Sequence, residues 1–324
     1  MKSDIEAIMQ GELGAWLAGQ DGQRAAARHR SRRRAVIAAV ILVPLLGLLW
    51  WAPMLPWEVK ALVTAMALVL GLVWVLLASA KVRQQVKHAI NSAIAKHFGV
   101  SYQLRASPGA ELQRAHVFGL VPHHDRAVIE DCWEGSLAGH DFRLYEAVLH
   151  ERRRDRDKHD DWNEVFRGAI IRMAFGRPFR STTLLERTGR KRGLMGLGAI
   201  PEKLTFNGHQ LDRIDQVHPD FAETFALFSD DQVEARVLVH PAYVEHLLRL
   251  ESAFASEQVR ALFAEGDVVV VVEGGNRFES GGLDPRNDAE RVERTVAQFT
   301  ALTGLALAIN QNERGSPVKA MPAA

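Results

Sequence analysis

Among 324 residues there is one cysteine, Cys132. A single thiol excludes an internal disulfide framework and any metal site of clustered cysteines. Net charge is almost absent too. Forty Lys and Arg stand against 39 Asp and Glu, leaving +1, so no global field draws nucleic acid. A cleaved secretory leader is not expected. The first 34 residues are polar, and the first apolar run starts at Ala35, late and long for a signal peptide. Catalytic and metal motifs are missing as well. There is no His-Glu-x-x-His, and His240 and His246 stand six apart, off the spacing that puts two ligands on one helix face. The stretch "DRDKHDD" (155–161) lacks the glycine and closing glutamate of a calcium loop and reads as a solvated hairpin tip. The basic, glycine-rich "GRKRGLMGLGAIPEK" (189–203) lacks the Gly-Lys-Ser/Thr of a phosphate loop and reads as a flexible connection. Neither Ser181 nor Ser229 has a Gly-x-Ser-x-Gly frame. His123-His124-Asp125 reads as a surface turn, and Cys132 as a small packed strand residue. No catalytic residue, cofactor or metal ligand is assigned.

What is present is two long uncharged runs. Residues 35–55 read "AVIAAVILVPLLGLLWWAPML", and residues 61–80 read "ALVTAMALVLGLVWVLLASA". A hydrocarbon core about 30 Å thick needs roughly 20 apolar residues in a helix, so both runs qualify as spans. Pro44 lies inside the first. Trp50, Trp51 and Trp57 gather at the short connection, where indoles favour the headgroup level, and Pro53 and Pro56 make it a tight turn. Orientation follows from the flanks. Arg24, Arg28, Arg30, Arg32, Arg33 and Arg34 precede the first span. Lys81, Arg83, Lys87 and Lys96 follow the second, and the connection holds only Glu58 and Lys60. The positive-inside bias then puts both ends in the cytoplasm.

The expected organisation is a basic N-terminal region (1–34), a transmembrane hairpin (35–80) and a basic juxtamembrane helix (81–98). An α+β cytoplasmic domain (99–310) and a flexible tail (311–324) follow. Val82, Val86, Ala89, Ile90, Ala93 and Ile94 recur at helical spacing in the juxtamembrane segment. That segment is either a helix lying on anionic headgroups or a stalk that enforces topology. Arg32, Arg33, Arg34, Lys81, Arg83 and Lys87 are the candidate anionic-lipid contacts.

In the cytoplasmic part, Ser107 and Pro108 signal a helix start. Alternating runs around Ala138-Gly139-His140-Asp141 predict a hairpin, and "QVRALF" and "DVVVVVEG" predict another around Glu265-Gly266. Glu164 to Phe175 and Pro178 to Glu186 read as strands. Residues 288–310 read as a closing helix with Val292, Val296, Phe299, Leu302 and Leu305 on its apolar side. In "GGNRFESGGLDP" (274–285) only Phe278 offers an anchor. Strands grouped with strands argue α+β.

The stretch "SDDQVEARVLVHP" (229–241) is the main candidate motif. Asp231 followed by Glu234 fits a capping box, in which the cap bonds the N3 amide and the N3 acid reaches back. Pro241 fits the first position of a second helix. The competing expectation is an acid–base site in which Asp231, Glu234 and a histidine converge.

This stretch carries a family resemblance, in Pro219, Phe221, Phe225, Ser229, Asp231, Val233, Glu234, Ala235, Arg236 and Pro241. A second match lies in Glu130-Asp131, Gly135, Phe142 and Glu146. Over roughly residues 20–310 the chain resembles the bacterial membrane proteins grouped as domain of unknown function number 3137. The resemblance implies a membrane-anchored cytoplasmic domain without established activity, and suggests a LemA-type membrane protein as partner. It brings no catalytic residues.

The expected function is therefore a membrane-tethered interaction or scaffold module with the bilayer as one partner. Ser229, Asp231, Glu234 and Arg236 form its candidate recognition or structural motif. The alternative is a hydrolase at the membrane face using dispersed carboxylates and histidines. Transport ranks below both, since the spans hold no polar residue beyond Thr64 and Ser79.

Overall fold

A computed structural model describes residues 2–53, 55–154, 160–188, 201–215, 223–256, 258–275, 278 and 281–310. The expected hairpin tip at 155–159, most of the glycine-rich connection and the tail lie outside these residues. The chain divides into two compact units. One holds residues 2–93 with 279–293, and the other holds residues 94–278 with the chain from Arg294.

The first unit is helical. Helices α1 (Lys2–Gln10) and α2 (Glu12–Gly19) precede α3 (Asp21–Trp51) and α4 (Trp57–Phe98). The N-terminal region is thus more than a polar flank, because it buries Ile8, Leu13, Leu17 and Ala27. It also buries Arg24, whose guanidinium pairs with Asp288 at 2.5 Å. Helix α3 stops at Trp51 because Ala52 precedes Pro53 and is driven to extended backbone (φ −66°, ψ 117°). The freed end is tied to α4. Lys60 Nζ donates to the Trp50 carbonyl (3.4 Å), and Trp50 Nε1 donates to Thr64 Oγ1 (3.2 Å). At the other end, Ser31 Oγ and Arg34 Nη1 donate to the Val75 and Trp74 carbonyls at 3.3 and 3.0 Å. Between these ties the helices meet closely at Gly71, where an added Cβ would lie 3.0 Å from Leu42 Cδ1. Both α3 and α4 are long and apolar enough to cross a membrane, and none of the most apolar window of either is buried.

The expected juxtamembrane helix is the C-terminal part of α4. Its stripe Val82, Val86, Ile90 and Ile94 is buried inside the protein. That packing, rather than headgroup contact, accounts for the helical spacing of these residues.

The second unit is built on one ten-stranded antiparallel sheet. Its strands are β1 (Val100–Arg105), β2 (Arg126–Leu137), β3 (His140–Arg154), β4 (Asp160–Ala174), β5 (Thr183–Arg187), β6 (Lys203–Phe206), β7 (His209–Ile214), β8 (Phe225–Ser229), β9 (Val259–Ala264) and β10 (Asp267–Glu273). Their spatial order is β1-β2-β3-β4-β10-β9-β5-β8-β7-β6. Three hairpins close through two residues with positive φ: Ala138-Gly139, Asn207-Gly208 and Glu265-Gly266. That is the type I′ geometry, whose twist matches the strands and whose second position suits glycine. The α+β expectation and both expected hairpins hold. The run from Pro178 is shorter than expected, since the strand starts at Thr183.

Both sheet faces are covered, which is why β10 reads as five consecutive valines instead of alternating. On one face α5 (Ala110–Val117) sets Leu112 and Ala115 against Tyr145, Leu149, Phe166 and Val269. The other face carries α7 (Pro241–Ala253) and α8 (Asp288–Ile309), with α6 (Gln232–Leu238) just before α7. All five residues expected on the apolar side of α8 are fully buried. Phe299 stacks on Phe98 (5.1 Å) and lies 4.5 Å from Trp133, 6.2 Å from Phe142 and 6.4 Å from Phe278. Phe278 is the anchor expected of its glycine-rich stretch: it is fully buried, and its amide donates to Glu146 Oε1 (3.2 Å). Helix α5 corrects the expected start at Ser107-Pro108. Its N-cap is Gly109, whose amide donates to Glu111 Oε1 (3.1 Å). The Glu111 side chain thus binds the N-cap amide, and no side chain caps the first-turn amides as a serine would.

Candidate functional site

The 229–241 motif forms a clasp between β8, α6 and the chain leading into β5. Ser229 faces Thr183 across the β5–β8 ladder, with their hydroxyl oxygens 2.8 Å apart. The Asp231 amide donates to Ser229 Oγ (3.1 Å). Asp231 then caps α6, as its Oδ1 accepts from the amides of Val233 (2.8 Å) and Glu234 (3.0 Å). This satisfies donors that a helix N-terminus leaves open.

Only half of the capping box forms. Glu234 does not reach back to Asp231. Its Oε2 accepts from the amides of Arg180 (3.0 Å) and Ser181 (2.6 Å). Asp230 Oδ1 accepts from the Thr182 amide (2.8 Å). Three consecutive amides, 180 to 182, are thus held by two carboxylates from the motif. Desolvation pushes the Glu234 carboxyl upward. The Ser181 hydroxyl and the Ser181 and Arg180 amides outweigh it, so the group lies below the usual glutamate range.

The sign of the pH effect follows. A depressed native pKa stabilises above the unfolded value, about 4.3, and that stability is lost as pH falls through the native value. Glu234→Ala is expected to cost about 1–3 kcal/mol at pH 7, the cost of two amides left short of an acceptor. The gap from wild type should narrow below about pH 4. Melting curves of both proteins across that range check it.

His240 does not join these acids. It caps α7: Nδ1 accepts from the Tyr243 amide (3.3 Å), which leaves Nε2–H to face the Ala308 carbonyl (3.3 Å). Burial lowers its pKa and favours this neutral form. Carboxylates committed to amides and a histidine committed to a cap do not form the convergent acid–base set of the hydrolase expectation. Among the described residues no three His, Cys, Asp or Glu side chains stand where they could hold a metal ion. Arg236 is the exception in the motif. It is exposed, and among the described residues its Nη2 donates to the Asp215 carbonyl, at 3.3 Å. Val233 and Val237 are exposed on the same short helix.

Of the candidate lipid contacts, Arg32, Arg33, Lys81 and Arg83 are exposed. Arg34 is partly committed, since it bonds the Trp74 carbonyl and lies 5.1 Å over the Trp74 ring. Lys87 is a correction, because it is buried and so withdrawn from any headgroup.

Sequence reasoning passed over a groove of about 370 Å³ lined by Glu164, Val165, Phe166, Arg167, Glu273, Gly274 and Gly275. Arg167 binds both oxygens of Glu164 (3.0 and 2.6 Å), and Arg260 pairs with Glu273. The groove joins residues about 110 positions apart by number, so no local signal marks it. It also passed over His116, whose ring lies 5.7 Å from that of His123 and 5.2 Å from that of His124. Three histidines within nine positions were the available signal.

No curated protein matches the chain. A solved structure titled "crystal structure of the mycobacterial trehalose monomycolate transport factor A, TtfA" matches 68% of this chain and 96% of its own, at 14% identity and a TM-score of 0.36. A superposition that loose lends nothing to a reading of activity. Residues 164–311 match the family model described as "Protein of unknown function (DUF3137)". That stretch runs from within β4 to the end of α8 and takes in the clasp and the groove.

Proposed function

We propose that the protein is a membrane-anchored interaction module. The α3–α4 hairpin crosses the bacterial inner membrane with its tip outside, and the sheet domain lies on the cytoplasmic side. The carrying observation is the uncovered apolar length of both helices. Exposed Leu62, Leu70, Val40 and Leu48 would otherwise meet water along a paired hairpin. The arginine-rich N-terminal part of α3 and the exposed Trp51 and Trp57 at the tip support the orientation. Arg32, Arg33, Lys81 and Arg83 contact anionic headgroups. Arg236, with Val233 and Val237, forms the surface that recognises a membrane protein partner, while Asp231 and Glu234 hold that surface in place.

Three measurements test this. Membranes washed in alkaline carbonate should retain the protein, and release into the wash would refute the anchor. In whole cells, Leu55→Cys should react with an impermeant maleimide and Ser101→Cys should not. Cys132 is buried, with its thiol pKa pushed up by desolvation, and so serves as a silent background. In-cell crosslinking should capture a stoichiometric partner that Arg236→Ala loses without a change in melting. Equal capture by both proteins would remove Arg236 from the recognition surface.

A further inference from the structure

We propose that His240 is a proton-operated latch: neutral, it ties the start of α7 to the end of α8, and protonated it releases both. The residue is the N-cap of α7, with extended backbone (φ −81°, ψ 161°). Pro241 follows it and brings no N–H. The first turn leans on the ring, whose Nδ1 accepts from the Tyr243 amide at 3.3 Å. Across the ring, Nε2 stands 3.3 Å from the Ala308 carbonyl, in the last turn of α8. One tautomer serves both contacts, with the lone pair on Nδ1 and the hydrogen on Nε2.

A second proton on this ring goes to Nδ1. It would set an N–H against the Tyr243 N–H, so the acceptor of the cap disappears. The commoner caps, serine, threonine, asparagine and aspartate, keep their acceptor oxygens through the range where histidine titrates. The surroundings resist the charge. The N-terminal end of a helix is itself positive. The charged groups that act on the ring are Arg177, from the chain before β5, and His246 on α7. His246 in turn has Arg249 and Glu245 beside it. The end of α8, residues 303–310, holds no titratable side chain. Burial is the largest influence and lowers the pKa of His240. The Ala308 carbonyl raises it, and Arg177 and His246 lower it again, leaving the ring below the usual histidine value. The released state therefore takes up the proton more readily than the latched one. The latch is closed above about pH 6.5 and weakens as pH falls from there through the native value.

The test is hydrogen exchange read by mass spectrometry on the full chain in detergent micelles, at about pH 7.5 and about pH 5.5, on either side of an ordinary histidine pKa. Rates are corrected for the intrinsic pH dependence of amide exchange. Protection of the first turn of α7 should fall about fivefold at the lower pH, the factor that corresponds to losing an ordinary side-chain cap. His240→Asn and His240→Asp each keep an acceptor at the cap and do not titrate in this range, so both should be protected equally at the two pH values. Two such variants keep the comparison open if one folds poorly. His246→Asn should respond as wild type does. Wild-type protection that is the same at both pH values would overturn the latch. So would a response that persists in the His240 variants, or one that vanishes in His246→Asn.

Discussion

Asp288→Ala is expected to destabilise the N-terminal unit by about 3–5 kcal/mol, the usual cost of removing one partner of a buried ion pair. Arg24 has no exposed surface, and its Nε and Nη2 have no other hydrogen-bond partner among the described residues. Without the carboxylate, a guanidinium that cannot deprotonate is left charged in a low-dielectric setting. Arg291 Nη1 lies 3.3 Å from the other Asp288 oxygen and would lose that acceptor, keeping the Asp284 carbonyl at 3.4 Å. The loss should appear as early melting and as proteolysis within residues 2–34. The double variant Arg24→Met, Asp288→Leu should recover most of it, because apolar groups of similar size replace buried pairs well. A single variant that melts like wild type would show that Arg24 reaches water. Arg24 is therefore unlike the arginines after it. In the sequence it counts with them toward orientation, but in the fold it is a strut.

Phe299→Ala should cost the sheet domain about 3–5 kcal/mol, the range for deleting a fully buried aromatic ring. Four rings meet this one: Phe98, Trp133, Phe142 and Phe278. The cavity would open among the end of α4, strands β2 and β3, and the segment holding Phe278, so collapse in one direction would strip contacts from the others. Leu307→Ala on the exposed side of the same helix should change stability by no more than about 0.5 kcal/mol. Chemical denaturation of both variants separates packing from helix propensity. Near-equal losses would mean that α8 is held by its termini and not by this ring cluster.

Local signals carried much of the fold. The period of Val292, Val296, Phe299, Leu302 and Leu305 gave the buried side of α8. Positive-φ turns at Ala138-Gly139 and Glu265-Gly266 marked hairpins, because a two-residue loop is specified by its own chemistry. The Asp231 cap was readable because donor and acceptor lie within three residues of each other. Where partners are distant in sequence, the signal disappears. Glu234 looked like the second half of a box, yet its amides belong to Arg180 and Ser181, more than fifty positions away. The burial of Arg24 could not be read from an arginine-rich stretch, since its partner is 264 residues further on. The placement of β5 between β8 and β9 was likewise invisible, because alternation in a strand says which face is buried and not who the neighbour is.

The position of β10 has a consequence for synthesis. It lies beside β4, pairing Asp267 with Ala174 and Glu273 with Gly168. Strands β1 to β4 therefore leave the ribosome with one edge of β4 unpaired, and nearly a hundred further residues must be made before β10 arrives to cover it. At about 5–20 residues per second that interval lasts roughly 5–20 seconds. Through all of it an apolar edge bearing Ile170, Ile171 and Met173 stays open to other nascent chains. Helices α3 and α4 precede the sheet in the chain, so under the proposed membrane anchoring the half-made sheet would wait while already tethered, and tethering would keep such edges apart.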